Sequence, residues 1–187
     1  SHMKRICVFC GSKSGSRPEY LEAADRLGRL LVKYNLGLVY GGTNVGTMGA
    51  LADSALAAGG EVIGVVPEGY FDMEVAHESL AELRIADSLS DRKRVMADLS
   101  DAFIAMPGGL GTIDEFFEML TWSQFGLHQK PTGLLNVCNY FQSLMIFLDH
   151  AVAEGFLTER YRQMILVADE PEEMLEAVVN GEWWSNA

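Results

Sequence analysis

Short apolar runs alternate with amphipathic stretches along this chain. The apolar runs predict strands at Arg5–Cys10, Gly37–Tyr40, Glu61–Val66, Ala102–Met106 and Gly133–Val137. The stretches between them have helical apolar spacing, which predicts helices at Glu19–Tyr34, Thr47–Ala58, Arg92–Leu99, Asp114–Gln124, Phe141–Glu154 and Glu172–Asn180. Continuous apolar strands separated by helices predict an α/β fold, a Rossmann-like doubly wound parallel sheet with helices on both faces.

No interdomain linker interrupts this alternation, so we expect a single domain over residues 4–187, preceded by an expression-tag remnant at 1–3. Pro67–Ser90 has the least regular pattern, and we expect it to fold over a site. The terminal pair Trp183-Trp184 is expected to pack against a neighbouring helix or subunit.

The 187 residues carry a formal net charge of −12. This balance argues against a nucleic-acid polymer or an anionic membrane as partner, although local donors can still hold a small anion. No apolar run approaches the ~20 residues of a membrane span, and no signal-peptide pattern is present. We therefore expect a cytoplasmic protein.

Cysteine and histidine spacing points to structural roles for these residues. Cys7 and Cys10 form C-x-x-C, but residues three apart in a strand point to opposite faces, so we expect no redox pair. The histidines lack metal-binding spacing, and His128 and His150 are expected to be structural or exposed. We expect neither a metal nor another cofactor.

The most informative segment is 106–115, Met-Pro-Gly-Gly-Leu-Gly-Thr-Ile-Asp-Glu, which joins a predicted strand to a predicted helix. Glycines let backbone N–H groups approach a ligand, and the positive helix end favours an anion, so we expect a phosphate. Thr112 adds a hydroxyl. Glu115 is repelled by a phosphate unless it reaches past it to carry out chemistry. The alternative is an ordinary first-turn acid that complements the helix dipole.

Two other glycine-rich segments, Cys10–Gly15 and Tyr40–Gly49, follow predicted strands. Neither contains G-x-G-x-x-G or a Walker A motif. Their glycines allow close approach of a ligand or, at Gly46 and Gly49, close packing of helix on strand.

A basic triplet, Arg92-Lys93-Arg94, opens the predicted third helix. Cations oppose the dipole at a helix start, at a cost of a few tenths of a kcal/mol each. This cost favours a specific role for Arg92 and Lys93, such as holding an anion or a carboxylate, whereas Arg94 fits a solvated face.

The pattern P-G-G-x-G-T-x-x-E with an upstream R-K resembles the signature of the Lonely guy family, many of whose members were labelled lysine decarboxylases. The similarity extends to Phe9–Ser12, Val39–Gly42, Gly64–Pro67, Glu74–His77 and Lys130–Leu135. The resemblance implies a phosphoribohydrolase that hydrolyses nucleoside 5′-monophosphates, including cytokinin precursors and AMP, to free base and ribose 5-phosphate. It also implies a homodimer with sites close to the subunit interface.

The resemblance assigns roles to individual residues. Arg92 and Glu115 match the catalytic pair. The residues matched to substrate binding are Gly11, Ser12, Gly42, Glu74, Arg92, Lys93, Gly108, Gly109, Leu110, Gly111, Thr112, Ile113, Asp114 and Thr121. Leu89 and Ser90 replace the usual Met-His before R-K, where they can touch the base, so the preferred base stays open.

In the expected mechanism Glu115 activates water or stabilises an oxocarbenium-like sugar, while the bound phosphate orients C1′. Arg92 anchors the phosphate or positions Glu115 through a bidentate contact. One alternative is a non-catalytic nucleotide or molybdenum-cofactor carrier on the same fold. Another is decarboxylation through pyridoxal phosphate, for which Lys93 and Lys130 are the lysines near the motifs. A purely structural module fits the glycine loops least well.

Overall fold

A computed structural model describes residues 2–69 and 82–181, and within these ranges seven parallel strands form one sheet. The strands are β1 (Arg5–Phe9), β2 (Gly37–Tyr40), β3 (Val62–Pro67), β4 (Glu82–Ala86), β5 (Ala102–Ala105), β6 (Thr132–Leu135) and β7 (Ile165–Ala168). Their spatial order is β4-β3-β2-β1-β5-β6-β7.

Helices cover both faces of this sheet. They are α1 (Pro18–Lys33), α2 (Gly46–Ala57), α3 (Leu89–Leu99), α4 (Leu110–Gln124), α5 (Gln142–Ala153), α6 (Glu159–Gln163) and α7 (Pro171–Val179), with a 3₁₀ turn at Val137–Asn139. One face packs against α1, α2 and α7, and the other against α3, α4 and α5. The central strands are buried on both faces, which explains their continuous apolar runs and confirms the predicted α/β class.

The strand order reverses between β1 and β5. From β1 the chain adds β2, β3 and β4 on one side, and it then returns to add β5, β6 and β7 on the other. Phe9 pairs with Ala105, so the loops that follow β1 and β5 leave the sheet side by side. A crevice at such a reversal is the usual ligand site of a doubly wound sheet.

Three elements were missed by the sequence pattern: the edge strands β4 and β7, and the short helix α6. β4 lies inside Pro67–Ser90, the segment expected to be irregular, so that expectation is wrong for Glu82–Ala86. The strand has a half-exposed side with Glu82 and Arg84, and its sequence is therefore not an apolar run. The Trp183-Trp184 pair lies outside the described residues.

Two helices begin earlier than predicted, and this changes how their charges are interpreted. α3 starts at Leu89, where the hydroxyl of Ser88 accepts a hydrogen bond from the Asp91 N–H at 3.1 Å. Arg92 and Lys93 therefore come after an acidic first turn and do not open the helix. The dipole argument for their special role is wrong, and their function follows from their contacts instead.

The cysteines occupy separate environments, as predicted. Cys7 packs beneath α3 and α4, whereas Cys10 lies on the opposite face against α1 and α2. Burial raises the pKa of both thiols. Together with the exposed Cys138 they are free cysteines.

His128 has the structural role expected of it. Its Nδ1 accepts from the Lys130 N–H at 3.0 Å, so Nε2 carries the hydrogen and donates to the Met119 carbonyl at 2.9 Å. Burial lowers the pKa of this imidazole. Across residues 2–69 and 82–181, no helix has the length and apolar character needed to cross a bilayer.

Candidate active site

A cavity of about 460 Å³ opens at the strand reversal, above the ends of β1 and β5. The segment after β1 forms one wall and the segment after β5 forms the other. The two segments touch, because a Cβ on Gly11 would lie 3.5 Å from the Gly108 Cα. The cavity is completed by Arg92 of α3 and by two tyrosines, Tyr20 and Tyr140.

Most of the predicted site residues meet in this cavity. Those that line it are Gly11, Ser12, Arg92, Gly108, Gly109, Leu110, Gly111, Thr112 and Glu115. Glu74 lies outside the described residues. Lining residues that sequence reasoning missed include Lys13, Tyr20, Gly41, Met48 and Tyr140.

The N-terminus of α4 faces this cavity without a side-chain cap. Gly109 occupies the N-cap position, and the first backbone bond back to it comes from the Ile113 N–H, at 3.2 Å from the Gly109 oxygen. A helix cannot pair the N–H groups of its own first turn. The first-turn N–H groups, from Leu110 to Thr112, are therefore available to an anion, which the helix dipole also favours.

Two glycines of this turn are not required by the protein's own packing. A Cβ on Gly109 would meet no atom within 4 Å, and the nearest atom to a Cβ on Gly111 would be Glu115 Oε1 at 3.9 Å. Neither glycine has a positive φ. Alanine would fit both positions, so packing within the chain does not account for the two glycines. Gly108 differs, since a Cβ there would overlap the Thr112 side chain.

We expect Gly109→Ala to lower the affinity for a nucleoside 5′-monophosphate about 10-fold, because a methyl group would enter the space left for the phosphate. The free energy of unfolding should stay within about 0.5 kcal/mol of wild type. Isothermal titration and chemical denaturation measure the two quantities. Gly108→Ala is the contrasting variant and should lose about 1–3 kcal/mol of stability through overpacking. Unchanged affinity in Gly109→Ala would place the phosphate elsewhere.

Arg92 is fixed to the edge of the sheet by backbone carbonyls. Its Nε donates to the Val65 oxygen at 2.8 Å and its Nη2 to the Gly41 oxygen at 2.9 Å. Gly41 leaves room for this arrangement, since a Cβ there would lie 2.5 Å from Nη2. The strand ends thus account for the position of the guanidinium, and the predicted bidentate contact to Glu115 stays a prediction.

Glu115 lies in the second turn of α4, because the helix begins at Leu110. The alternative interpretation as a first-turn acid is therefore wrong. The half-buried carboxylate lines the cavity. Its charge adds to burial in raising the pKa of Cys10, which places it near the end of β1.

Lys93 does not line the cavity. Its Nζ donates to Asp114 Oδ2 at 3.0 Å and to Glu118 Oε2 at 3.1 Å, and its side chain is only 16% exposed. Burial lowers the pKa of Lys93, but the two carboxylates outweigh it and the net shift is upward. Two residues matched to substrate binding, Lys93 and Asp114, therefore bind each other and tie α3 to α4.

The remaining three matched positions also lie outside the cavity wall. Ile113 packs in the apolar layer between α4 and α5, and Thr121 is exposed on α4. Gly42 has a φ of +86° and faces the Val66 side chain.

The glycine-rich segment after β2 holds a neighbouring loop. At the start of α2 the Met48 N–H donates to the Gly11 oxygen at 3.0 Å, and the Thr47 hydroxyl to the Lys13 oxygen at 3.0 Å. A Cβ on Gly46 would collide with the Ser12 backbone. This helix end thus binds the first loop, and packing explains its glycine.

Comparison with known proteins gives both a family and close relatives. Residues 48–178 match the family model described as possible lysine decarboxylase. A cytokinin riboside 5′-monophosphate phosphoribohydrolase of Arabidopsis thaliana is 46% identical over 94% of this chain and 81% of its own length. The protein of the same description from Rhodococcoides fascians is 46% identical over 94% of this chain and 89% of its own length.

Solved structures share the architecture. The molybdenum cofactor binding protein of Rippkaea orientalis superposes with a TM-score of 0.71 at 26% identity, covering 96% of this chain and 98% of that one. The molybdenum cofactor carrier protein of Chlamydomonas reinhardtii gives a TM-score of 0.72 at 21% identity, with the same coverage. At this level of identity, the second match shows the fold alone.

Proposed function

Because this chain belongs to the Lonely guy family of cytokinin riboside 5′-monophosphate phosphoribohydrolases, we propose that it hydrolyses the N-glycosidic bond of a nucleoside 5′-monophosphate. The products are a free base and ribose 5-phosphate. The observation that carries the proposal is the start of α4. There an uncapped helix end, with two glycines that the protein's packing does not require, is followed one turn later by Glu115 in the same cavity.

The phosphate of the substrate binds at the first turn of α4. Backbone N–H groups, the helix dipole and the exposed Lys13 at the cavity wall supply the positive potential that an acidic protein otherwise lacks. The Glu115 side chain reaches back toward the start of α4, where its Oε1 lies 3.9 Å from the position of a Cβ on Gly111. A ribose whose 5′-phosphate binds the first turn therefore has its anomeric carbon within reach of the carboxylate.

Glu115 then acts on the anomeric centre. Cleavage of the bond between C1′ and the base nitrogen leaves an oxocarbenium-like sugar, which the carboxylate stabilises while it accepts a proton from the attacking water. The water oxygen bonds to C1′, and the departing base takes up a proton. Arg92, held rigidly by two carbonyls, presents its remaining N–H groups as a fixed positive charge beside the ribose phosphate.

The two lysines near the motifs, Lys93 and Lys130, do not favour decarboxylation through pyridoxal phosphate. Lys130 donates its Nζ to the Ala97 oxygen at 2.7 Å, and Lys93 is paired with two carboxylates. Both amines are thus engaged outside the cavity wall, whereas a Schiff base requires a lysine that reaches the cofactor.

The direct test is to incubate the purified protein with AMP and with isopentenyladenosine 5′-monophosphate, and to follow free base and ribose 5-phosphate by chromatography. We expect release of base from at least one of the two, and their relative rates would rank the bases. Intact nucleotides together with tight binding would favour a carrier, the role in the name of the Chlamydomonas reinhardtii protein.

We further propose a homodimer. Large exposed apolar side chains lie on α4 and α5 and in the turns that follow them: Leu110, Phe125, Leu127, Ile146, Phe147 and Phe156. Exposed apolar surface of this kind marks an interaction site. Sedimentation equilibrium should give about twice the 20.5 kDa chain mass, and a monomer would contradict the assembly.

We place the enzyme in the cytoplasm, a reducing compartment that suits its three free cysteines.

A further inference from the structure

Tyr140 belongs to the cavity, although neither the glycine motif nor the family resemblance singles it out. It follows β6, and its hydroxyl donates a 2.5 Å hydrogen bond to the Gly108 oxygen. Its ring stands edge-on to Tyr20, with centroids 6.1 Å apart. A side chain 32 residues away in sequence is thus bonded to the backbone of the phosphate loop.

The turn that presents Tyr140 is held in an unusual conformation. Cys138 and Asn139 both have positive φ angles, of 53° and 56°, which non-glycine residues rarely adopt. The buried Asn136 fastens this turn: its Oδ1 accepts from the Phe141 N–H at 2.8 Å, and its Nδ2 donates to Asn139 Oδ1 at 3.3 Å. Two backbone bonds complete the turn, from the Asn139 N–H to the Asn136 oxygen at 3.2 Å and from the Tyr140 N–H to the Val137 oxygen at 3.0 Å. Together these bonds fix the backbone on both sides of Tyr140 and limit the direction of its ring.

The bond to Gly108 controls the orientation of the next peptide group. A trans peptide is planar, so the Gly108 carbonyl and the Gly109 N–H point in opposite directions. Two consecutive glycines have no side chain to restrain the peptide between them, and such a peptide rotates easily. With its carbonyl bound to Tyr140, the peptide keeps the Gly109 N–H directed away from that ring.

We propose that Tyr140 is a positioning residue for the phosphate cradle, the backbone of residues 108–112 at the start of α4. Its hydroxyl holds the Gly108–Gly109 peptide, and with it the N-cap from which the N–H groups of the first turn project, in the orientation that binds phosphate. It acts through Gly108 without reacting with the substrate. The inference rests on the proposed function for the identity of the substrate. Its test through phosphate binding is independent of hydrolysis.

Tyr140→Phe removes the hydroxyl alone, and Tyr161→Phe is the matched control. Tyr161 also donates its hydroxyl to a main-chain oxygen, that of Gln124 at 3.4 Å, but it lies outside the cavity wall. For Tyr140→Phe we expect the Kd for inorganic phosphate and the KM for a nucleoside 5′-monophosphate each to rise roughly 3- to 10-fold. Because the cradle holds the phosphate equally in ground and transition states, kcat should stay within about 2-fold. Tyr161→Phe should leave all three unchanged.

If the hydroxyl were purely structural, its removal would lower the melting temperature without changing the Kd for phosphate or the KM for the nucleotide. A Kd and KM within about 2-fold of wild type in Tyr140→Phe would therefore overturn the inference, as would equal rises in both variants. A wild-type protein that binds phosphate but cleaves no nucleotide would contradict the proposed function alone, because the two titrations would still decide the role of Tyr140.

Discussion

Replacement of Glu115 by glutamine is expected to slow base release at least about 100-fold while nucleotide affinity stays within a few-fold of wild type. The amide has nearly the same shape as the carboxylate, so the second turn of α4 and the cradle before it are preserved. It cannot accept a proton from water, and it carries no negative charge to stabilise the oxocarbenium-like sugar. Single-turnover kinetics with saturating nucleotide isolate this chemical step from binding.

Glu118→Gln is the matched control for this experiment. Glu118 is on the same helix, three residues further on, but its carboxylate binds Lys93. Loss of that ion pair should change turnover less than about 3-fold, since a partly exposed pair contributes little stability. Near-normal turnover by Glu115→Gln would remove Glu115 from the chemistry. Equal losses in both variants would point to a general effect of charge on α4.

The second large effect is expected for Arg92→Lys, which should reduce kcat/KM about 100-fold or more. The planar guanidinium binds the carbonyls of Val65 and Gly41 at the same time, from Nε and Nη2. An ammonium group on a flexible chain cannot reproduce this fork, so its charge is no longer held in place. Steady-state kinetics at two ionic strengths would show whether the residual activity depends on an unpositioned charge.

Arg94→Lys provides the comparison, because Arg94 lies two residues away on the exposed side of α3. It pairs with Asp91 and Asp98 and keeps 59% of its side chain exposed. We expect its activity within about 2-fold of wild type and its stability within about 0.5 kcal/mol. If Arg92→Lys were as active as Arg94→Lys, the carbonyl clamp, meaning the two hydrogen bonds that Arg92 donates to the Val65 and Gly41 oxygens, would serve the fold rather than the reaction.

The central sheet could be predicted from the sequence because its strands are buried on both faces. Four of these strands, β1, β2, β3 and β5, are short runs of mainly apolar residues bounded by turns. This composition and length distinguish them from the helices in the sequence. The edge strand β4 exposes Arg84 and Ile85, which point to opposite faces, and its five residues are too few for the sequence pattern to be distinguished from a loop. The starts of α3 and α4 were misplaced by three and four residues, because both helices open on a leucine rather than on the charged residues that follow it.

The cradle was predictable from its local sequence, whereas the contacts around it were not. Glycines that follow a strand and precede a helix indicate a ligand-binding loop from the local sequence alone, without knowledge of the tertiary contacts. The directions of Arg92 and Lys93 could not be inferred from adjacency, because successive residues on a helix point about 100° apart. One therefore reaches the cavity and the other reaches α4. Tyr140 was missed because its bond to Gly108 exists only once β6 lies beside β5.

Because main-chain oxygens hold Arg92, its position does not depend on the side chains that are predicted to select the base. Its two acceptors are main-chain oxygens, which every residue supplies, so no other polar side chain has to be kept to hold the guanidinium. Packing constrains the two acceptor residues instead: Val65 is buried in the core, and Gly41 leaves the space that Arg92 occupies. Libraries that vary the exposed residues Leu89 and Ser90, on the same helix as Arg92, can therefore test their predicted contact with the base while the charged centre stays in place.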